Sequence, residues 1–344
     1  MRTSAAPRLL FARLLAATAL LVLILAAPAG AAAKPAPPKP RKAVFPKLVL
    51  QPPVVGIAEQ HPDLFIDPLY QAAGLTHSRL LVGWNGIFDE NQRGQMDDYL
   101  NAAHLLNIDV LITFGNSRAN GRDRPSPLQL VQAFRAIRSR YPWVTEFGTW
   151  NEPNLQGSAP ELTATYWRAL THDCPSCTIL AADMVDTKNM TGWIKRFRKT
   201  ARKEPKYWGL HNYVDANKFI ATGTSGILKA TRGEIWLTET GGVVERHNAS
   251  SIAFATGTDH AAAAVKFIFD RLVPMSPRIR RVYLYNWRAS PGPSTWDSAL
   301  TNADGTPRPA YQELRRQLAH SSTPTPCALS VSIPLVPGAC IPTR

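Results

Sequence analysis

Metal-binding signatures are missing from this 344-residue chain. Its eight histidines are dispersed, none lies in a His-Glu-x-x-His helix, and the four cysteines do not join them at zinc spacing, so no metal is expected. Glycine is scarce where a phosphate loop would need it: Val55-Gly56-Ile57-Ala58 lacks the repeated glycines that let a backbone approach phosphate, and no cofactor is expected. Acidic residues are in deficit, 25 against 39 Lys and Arg, for a formal net charge of +14. The basic residues are scattered along helix-like stretches, among them Arg135, Arg138, Arg140, Lys195, Arg196, Arg198 and Lys199. They form no nucleic-acid module, and nucleic acid is not expected as a partner. The surplus favours loose contact with acidic polymers or anionic envelope surfaces, although compositional bias is the plainer origin of a basic chain.

Long uncharged apolar runs are confined to the first 33 residues. Arg2, Arg8 and Arg13 precede an uncharged stretch from Leu14 to Ala33 that ends on Gly30-Ala31-Ala32-Ala33, the pattern of a secretory signal. Its most hydrophobic part, Leu14 to Ala27, is 14 residues long, short of the ~20 that cross a bilayer, although the alanine-rich continuation leaves an uncleaved anchor open. Residues 1–33 are therefore read as a signal peptide, and the mature protein as secreted and extracellular. Lys34 to Pro53 holds seven prolines and five basic residues, a composition that favours an extended tether. An even number of cysteines in an exported chain permits disulfides. Cys174-Pro175-Ser176-Cys177 follows a helix-like run and precedes Thr178-Ile179-Leu180, the reverse of a redox motif, and reads as a structural clip. Cys327 and Cys340 would close the Pro/Ser/Thr-rich tail, 321–344, into a small loop.

Between these ends, 54–320 alternates short apolar runs with longer amphipathic ones, the order of repeated strand–helix units. Strands are expected to begin near Val54, His77, Val110, Thr145, Thr178, Tyr207, Glu234 and Arg281. Asp67-Pro68 with Gly74 beyond it, and Ser126-Pro127 ahead of Leu130, Phe134 and Ile137, mark helices by cap and stripe. No close internal repeat is visible. Two of the apolar runs end on acids: Glu152 in Phe147-Gly148-Thr149-Trp150-Asn151-Glu152-Pro153-Asn154, and Glu239 in Ile235-Trp236-Leu237-Thr238-Glu239-Thr240-Gly241-Gly242. A carboxylate at the tip of a buried strand must be paired, hydrogen-bonded or used. The two stand 87 residues apart, three units of about 29, which suits a single (β/α)8 TIM barrel of about 250 residues with both tips at one mouth. Ordinary helix caps or surface charges are the alternative use of such acids.

With its acids at the ends of the fourth and seventh strands, the sequence resembles the clan A retaining glycoside hydrolases, which share a (β/α)8 barrel and include many endoglucanases, mannanases and β-xylosidases. Trp150-Asn151-Glu152-Pro153-Asn154, followed by Leu155, is similar to that clan's acid/base motif, in the form of the β-xylosidase and α-iduronidase family. Trp236-Leu237-Thr238-Glu239 is similar to its nucleophile strand. His211-Asn212-Tyr213 resembles the His-x-Tyr that ends strand six, where the tyrosine orients the nucleophile. Trp287 matches the tryptophan that ends strand eight as a floor under the sugar, and Arg79 the strand-two arginine of the endoglucanase group. Asp304-Gly305-Thr306-Pro307-Arg308-Pro309-Ala310-Tyr311 resembles the linker into helix eight. Strand three ends Thr113-Phe114-Gly115-Asn116, with no histidine where many endoglucanases carry one, so the family within the clan stays open.

The chemistry of the residues supports the same roles. A glycosidic oxygen leaves poorly, so one carboxyl must be protonated while its partner stays ionised to attack the anomeric carbon. Asn151, beside Glu152, can both donate to and accept from a sugar hydroxyl; capping a turn is its other use. Tyr213 would donate to Glu239. His211 belongs to the site or to the core. Trp287 and Trp84 offer rings that stack on the apolar face of a pyranose, with burial as the alternative, and Asn116 completes the expected substrate-binding set. The expected protein is a monomeric hydrolase of poly- or oligosaccharides; a non-catalytic carbohydrate-binding protein and a transglycosylase remain as alternatives.

Overall fold

The computed structural model describes residues 51–321 except 122–123, 248–252 and 293. The expected signal peptide, nearly all of the tether, and the tail with Cys327 and Cys340 lie outside the described residues. The strands are β1 (Val54–Ala58), β2 (His77–Gly83), β3 (Asp109–Gly115), β4 (Glu146–Gly148), β5 (Thr178–Leu180), β6 (Asp183–Val185), β7 (Tyr207–His211), β8 (Glu234–Thr240), β9 (Glu245–Arg246), β10 (Ile279–Tyr285) and β11 (Trp296–Asp297). Around them lie α1 (Pro68–Ala73), α2 (Glu90–Leu105), α3 (Pro127–Arg140), α4 (Pro160–Asp173), α5 (Met190–Ala201), α6 (Tyr213–Lys218), α7 (Thr222–Ala230), α8 (Thr258–Phe267) and α9 (Pro309–Ser321). None of the described helices is long and apolar enough to cross a membrane.

Nine strands form one parallel sheet in the order β5-β4-β3-β2-β1-β10-β8-β7-β6. Its two ends, β5 and β6, are successive parts of one stretch, 178–185, interrupted at Ala181-Ala182. The break is bridged: Ala181 N–H donates to Tyr207 O at 2.9 Å, Asp183 N–H to Trp150 O at 3.1 Å, and Asn151 pairs with Asp183. The sheet is therefore a nearly closed barrel in which 178–185 acts as the fifth of eight staves, and every expected strand start lies within two residues of an observed one. Helix signals read as expected. Asp67 accepts from the Leu69 and Tyr70 N–H groups, Gly74 ends α1 at φ 63°, and Ser126 and Gln129 form a reciprocal capping box at α3. Cys174 and Cys177 are disulfide-bonded, with Cα atoms 5.3 Å apart, where α4 turns into β5.

Two features of the barrel interior prepare the site. Small residues make room for large ones: a Cβ on Gly56 would lie 2.9 Å from the Tyr283 ring, and one on Gly209 only 2.0 Å from an Asp183 oxygen. Substituting either would push apart the strands that hold the site's charges. The amino-terminal end of the barrel is plugged by Arg281, which donates to both oxygens of Glu146 at 2.5 and 2.6 Å and lies 3.7 Å over the Trp236 ring. Above that plug Ala58, Leu111, Leu180, Trp236 and Tyr283 fill the interior, leaving the carboxyl-terminal end for polar chemistry.

Candidate active site

Glu239 reaches the barrel interior through an irregularity. Trp236 faces inward, so strict alternation would turn Glu239 outward. Along β7 the register advances two residues, Gly209 to His211, while β8 advances three, Trp236 to Glu239, and β10 shows the same shift against β8. The extra residue in β8 is a bulge that re-aims Glu239 to stand opposite His211. Glu152 is positioned by a different device. Its N–H donates to Asp183 O at 2.9 Å, and its backbone sits in the left-handed region at φ 47°, a conformation rare for a residue with a long side chain. Asn154 braces that turn: its amide nitrogen donates to Val185 O and Thr187 Oγ1 at 2.8 Å each, and its oxygen accepts from Val185 N–H at 2.9 Å.

These devices converge on one charged cluster. Arg79, wholly buried, donates from Nη1 to Glu239 Oε2 at 3.0 Å and from Nη2 to Asn151 Oδ1 at 2.7 Å and Asp183 Oδ2 at 2.8 Å. Thr113 donates to the same Asp183 oxygen at 2.9 Å. His211 Nδ1 is 2.9 Å from Glu152 Oε1 and 3.8 Å from Glu239 Oε2, and the Tyr213 hydroxyl donates to Glu239 Oε1 at 3.2 Å. Burial disfavours an imidazolium at His211, yet the charge of Glu239 and the hydrogen bond to Glu152 outweigh it and raise its pKa. Burial likewise works against ionised Glu152, but His211 and Arg79 more than offset it and hold this carboxyl below its ordinary range. Each group of this pair thus favours the charged form of the other across the 2.9 Å contact.

Atoms of Glu152, His211 and Glu239 able to bind a metal lie within 4.8 Å of one another. Arg79 already occupies the side of this cluster as a fixed cation, 3.0 Å from Glu239 and 3.4 Å from His211 Nε2, so the geometry is that of an ion-pair network built around a guanidinium rather than of a cation cage.

The candidate residues do not all meet. Glu152, Glu239 and Tyr213 line a cavity of about 360 Å³, with Asn151, Arg79 and His211 packed behind it. Trp287 faces elsewhere: its ring is 1 % exposed and lies edge-on between Tyr70 and Tyr311 at 5.4 and 5.7 Å. It borders a second cavity of about 270 Å³ with Glu59 and Arg288, but a ring walled in by two tyrosines has no open face for a sugar. Trp84 is also core, and its N–H donates to Gly115 O at 2.9 Å. Asn116 bonds to Arg124 at 2.6 Å and Gln156 at 3.0 Å, outside the cavity lining. The aromatic wall is instead Trp296 and Phe254, with Tyr285. The motif reading missed Phe254, in a loop, and Trp296, in the two-residue strand β11, because neither stands at a fixed spacing from the barrel strands. It also missed Asp186, which lines the cavity and whose carboxyl is pushed up to about 7, first by burial and then by the like charge of Asp215. A hollow of about 600 Å³ between α3 and α4 is larger but has Asp173 as its one acid, and the paired carboxylates are the better guide to chemistry.

The family model of the glycosyl hydrolase catalytic core matches residues 128–312, more than half of the chain. This chain belongs to the glycosyl hydrolase catalytic core family. Solved structures agree in fold. A family 39 glycoside hydrolase from Bacteroides cellulosilyticus superposes with a TM-score of 0.51 at 18% identity, over 78% of this chain and 64% of that one. A GH5_18 protein from Streptomyces cattleya in complex with GlcNAc gives 0.54 at 14%, over 80% and 82%. Xylanase 10B from Thermotoga maritima gives 0.56 at 13%, over 78% and 95%. At these identities the likeness is one of fold. The comparison with curated proteins finds no match. Within the glycosyl hydrolase catalytic core family, the acids of this chain stand at the fourth and seventh staves, inside the matched segment.

Proposed function

We propose that the protein is a retaining O-glycosidase in which Glu239 is the nucleophile and Glu152 the acid/base. The observation that carries this reading is the closeness of the two carboxylates, whose oxygens come within 4.8 Å. Retaining pairs stand about 5 to 5.5 Å apart, whereas inverting pairs need about 6.5 to 9.5 Å to admit water. Glu239, oriented by Tyr213 and Arg79, attacks the anomeric carbon as its bond to the glycosidic oxygen breaks. Glu152 protonates the departing oxygen with a proton shared with His211 across the 2.9 Å contact between them. Water then attacks the glycosyl ester, gives a proton to Glu152 and releases Glu239. Trp296 and Phe254 supply the aromatic lining of the cleft.

The stereochemistry tests it. Proton NMR of the first-formed sugar is expected to show the substrate's own anomeric configuration before mutarotation; the opposite anomer would rule out double displacement. The poly- or oligosaccharide substrate expected from the sequence enters this reading through its glycone alone. We further propose export with cleavage near Lys34, supported by the basic, apolar and small-residue order of residues 1–33. Mass spectrometry of the natural protein should find no Met1, and an intact amino terminus on a cytoplasmic protein would contradict export.

A further inference from the structure

Glu152 must protonate the bond to the leaving group, so whatever lies on its far side receives the aglycone. Three apolar side chains share the cavity with Glu152. Leu155 is in the same turn, its N–H donating to Glu152 O at 3.1 Å, and is 58% exposed. Val185 ends β6, and Val214 follows Tyr213 at the start of α6. Trp296 and Phe254, edge to face with ring centroids 6.4 Å apart, line the same cavity of about 360 Å³ as these three.

Two of the polar side chains here, Asp186 and Thr187, are engaged with the protein. Asp186 accepts Val214 N–H at 3.3 Å and Asp215 N–H at 2.7 Å. Thr187 Oγ1 donates to Asn189 at 2.5 Å and accepts from Asn154 at 2.8 Å. The Arg246 guanidinium lies over the Phe254 and Trp296 rings, 4.9 and 5.7 Å from their centroids. A second sugar in this space would lose water from its hydroxyls without matching partners, which is costly. An apolar ring loses nothing of the kind, and gains contact with Leu155, Val185 and Val214 and edge or face contact with the two aromatics.

We infer that the leaving-group subsite is built for an aromatic aglycone, so that the natural substrates are glycosides of aromatic alcohols or phenols rather than polysaccharides. The inference rests on the glycosidase reading and narrows it. A cavity of about 360 Å³ has room for a sugar and one further ring system.

The test begins with 4-nitrophenyl glycosides, which identify the glycone. Three further substrates then share that glycone and anomeric configuration: the 2-phenylethyl glycoside, the octyl glycoside and disaccharides with glucose as leaving group. 2-Phenylethanol and octanol leave as alkoxides of similar basicity and glucose as a weaker base, so leaving-group acidity favours the disaccharides and cannot create a preference for the 2-phenylethyl glycoside. The 2-phenylethyl glycoside is expected to exceed every disaccharide in kcat/KM by about tenfold or more, the scale of apolar pocket discrimination. Leu155→Asn combined with Val214→Thr should reduce that ratio about tenfold. Disaccharide turnover equal to or faster than that of the 2-phenylethyl glycoside, or preference for the octyl chain, overturns the inference while leaving the glycosidase reading intact. Loss of all turnover on every glycoside overturns the glycosidase reading instead. The pocket is then judged by saturation-transfer NMR with 2-phenylethanol, where a signal lost in Trp296→Ala supports the aromatic subsite and no signal overturns it.

Discussion

Glu239→Gln is expected to leave a folded protein whose kcat is about 10⁴-fold lower, the scale of losing a group that acts through a covalent intermediate. The amide keeps the size of the carboxylate and its oxygen can still accept from Tyr213 or Arg79, but it cannot form a glycosyl ester. Glu152→Ala should fail differently. It removes proton donation, worth about 10² to 10⁴ on poor leaving groups, while Glu239 remains able to attack substrates whose leaving groups need no proton. A 2,4-dinitrophenyl glycoside should therefore retain a fast first step with Glu152→Ala and stall at the glycosyl-enzyme, which mass spectrometry would detect as a mass increase on Glu239. Azide should relieve the stall, because a small anion fits where the Glu152 side chain was and needs no base. The glycosyl azide should carry the substrate's own anomeric configuration. An azide product of inverted configuration, or equal losses in both variants on the activated substrate, would refute the assignment of the two acids.

The acids themselves were legible because each ends a buried run, where an unpaired carboxylate has few uses. The barrel was legible for a related reason: apolar alternation and helix caps are local signals, and Asp67, Gly74 and Ser126 do in the structure what their types suggest. What lay beyond the sequence depends on contacts between distant strands. The bulge that turns Glu239 inward adds one residue to β8 relative to its neighbours, and no residue type at 236–240 announces it. The two tryptophans illustrate the same limit. Trp287 ends a strand as a sugar platform would, but α1 and α9 bring Tyr70 and Tyr311 against its ring. Trp296 and Phe254, which line the cleft, lie in chain with no periodic pattern. Asp183 also gave no sign of its importance, because its role appears only when Arg79, 104 residues earlier, is buried beside it.

Arg79→Met should have the largest effect on stability of any single change at the site, about 3 to 5 kcal/mol, the cost of removing one partner from a buried ion pair. Arg79 and Asp183 are both wholly buried, and the guanidinium alone bridges Asp183, Asn151 and Glu239. Methionine fills much of the same space, so the loss would report charge and hydrogen bonding rather than a cavity. Without the cation, Asp183 keeps Thr113 as a donor but shares the cluster with Glu152 and Glu239, and His211 is the one remaining basic side chain among them. Arg79→Lys should recover little, because one ammonium cannot reproduce a planar fork that reaches three residues. The second variant that separates these effects is Arg79→Met with Asp183→Asn, which removes the stranded charge. Urea unfolding should show the double variant more stable than Arg79→Met alone, with a coupling energy above about 1 kcal/mol, yet activity should not return because Glu239 still lacks the group that holds it. An Arg79→Met protein within about 1 kcal/mol of the wild type would mean that the buried network contributes little to holding the barrel's mouth together. Full activity in the double variant would mean that Arg79 does not position the nucleophile.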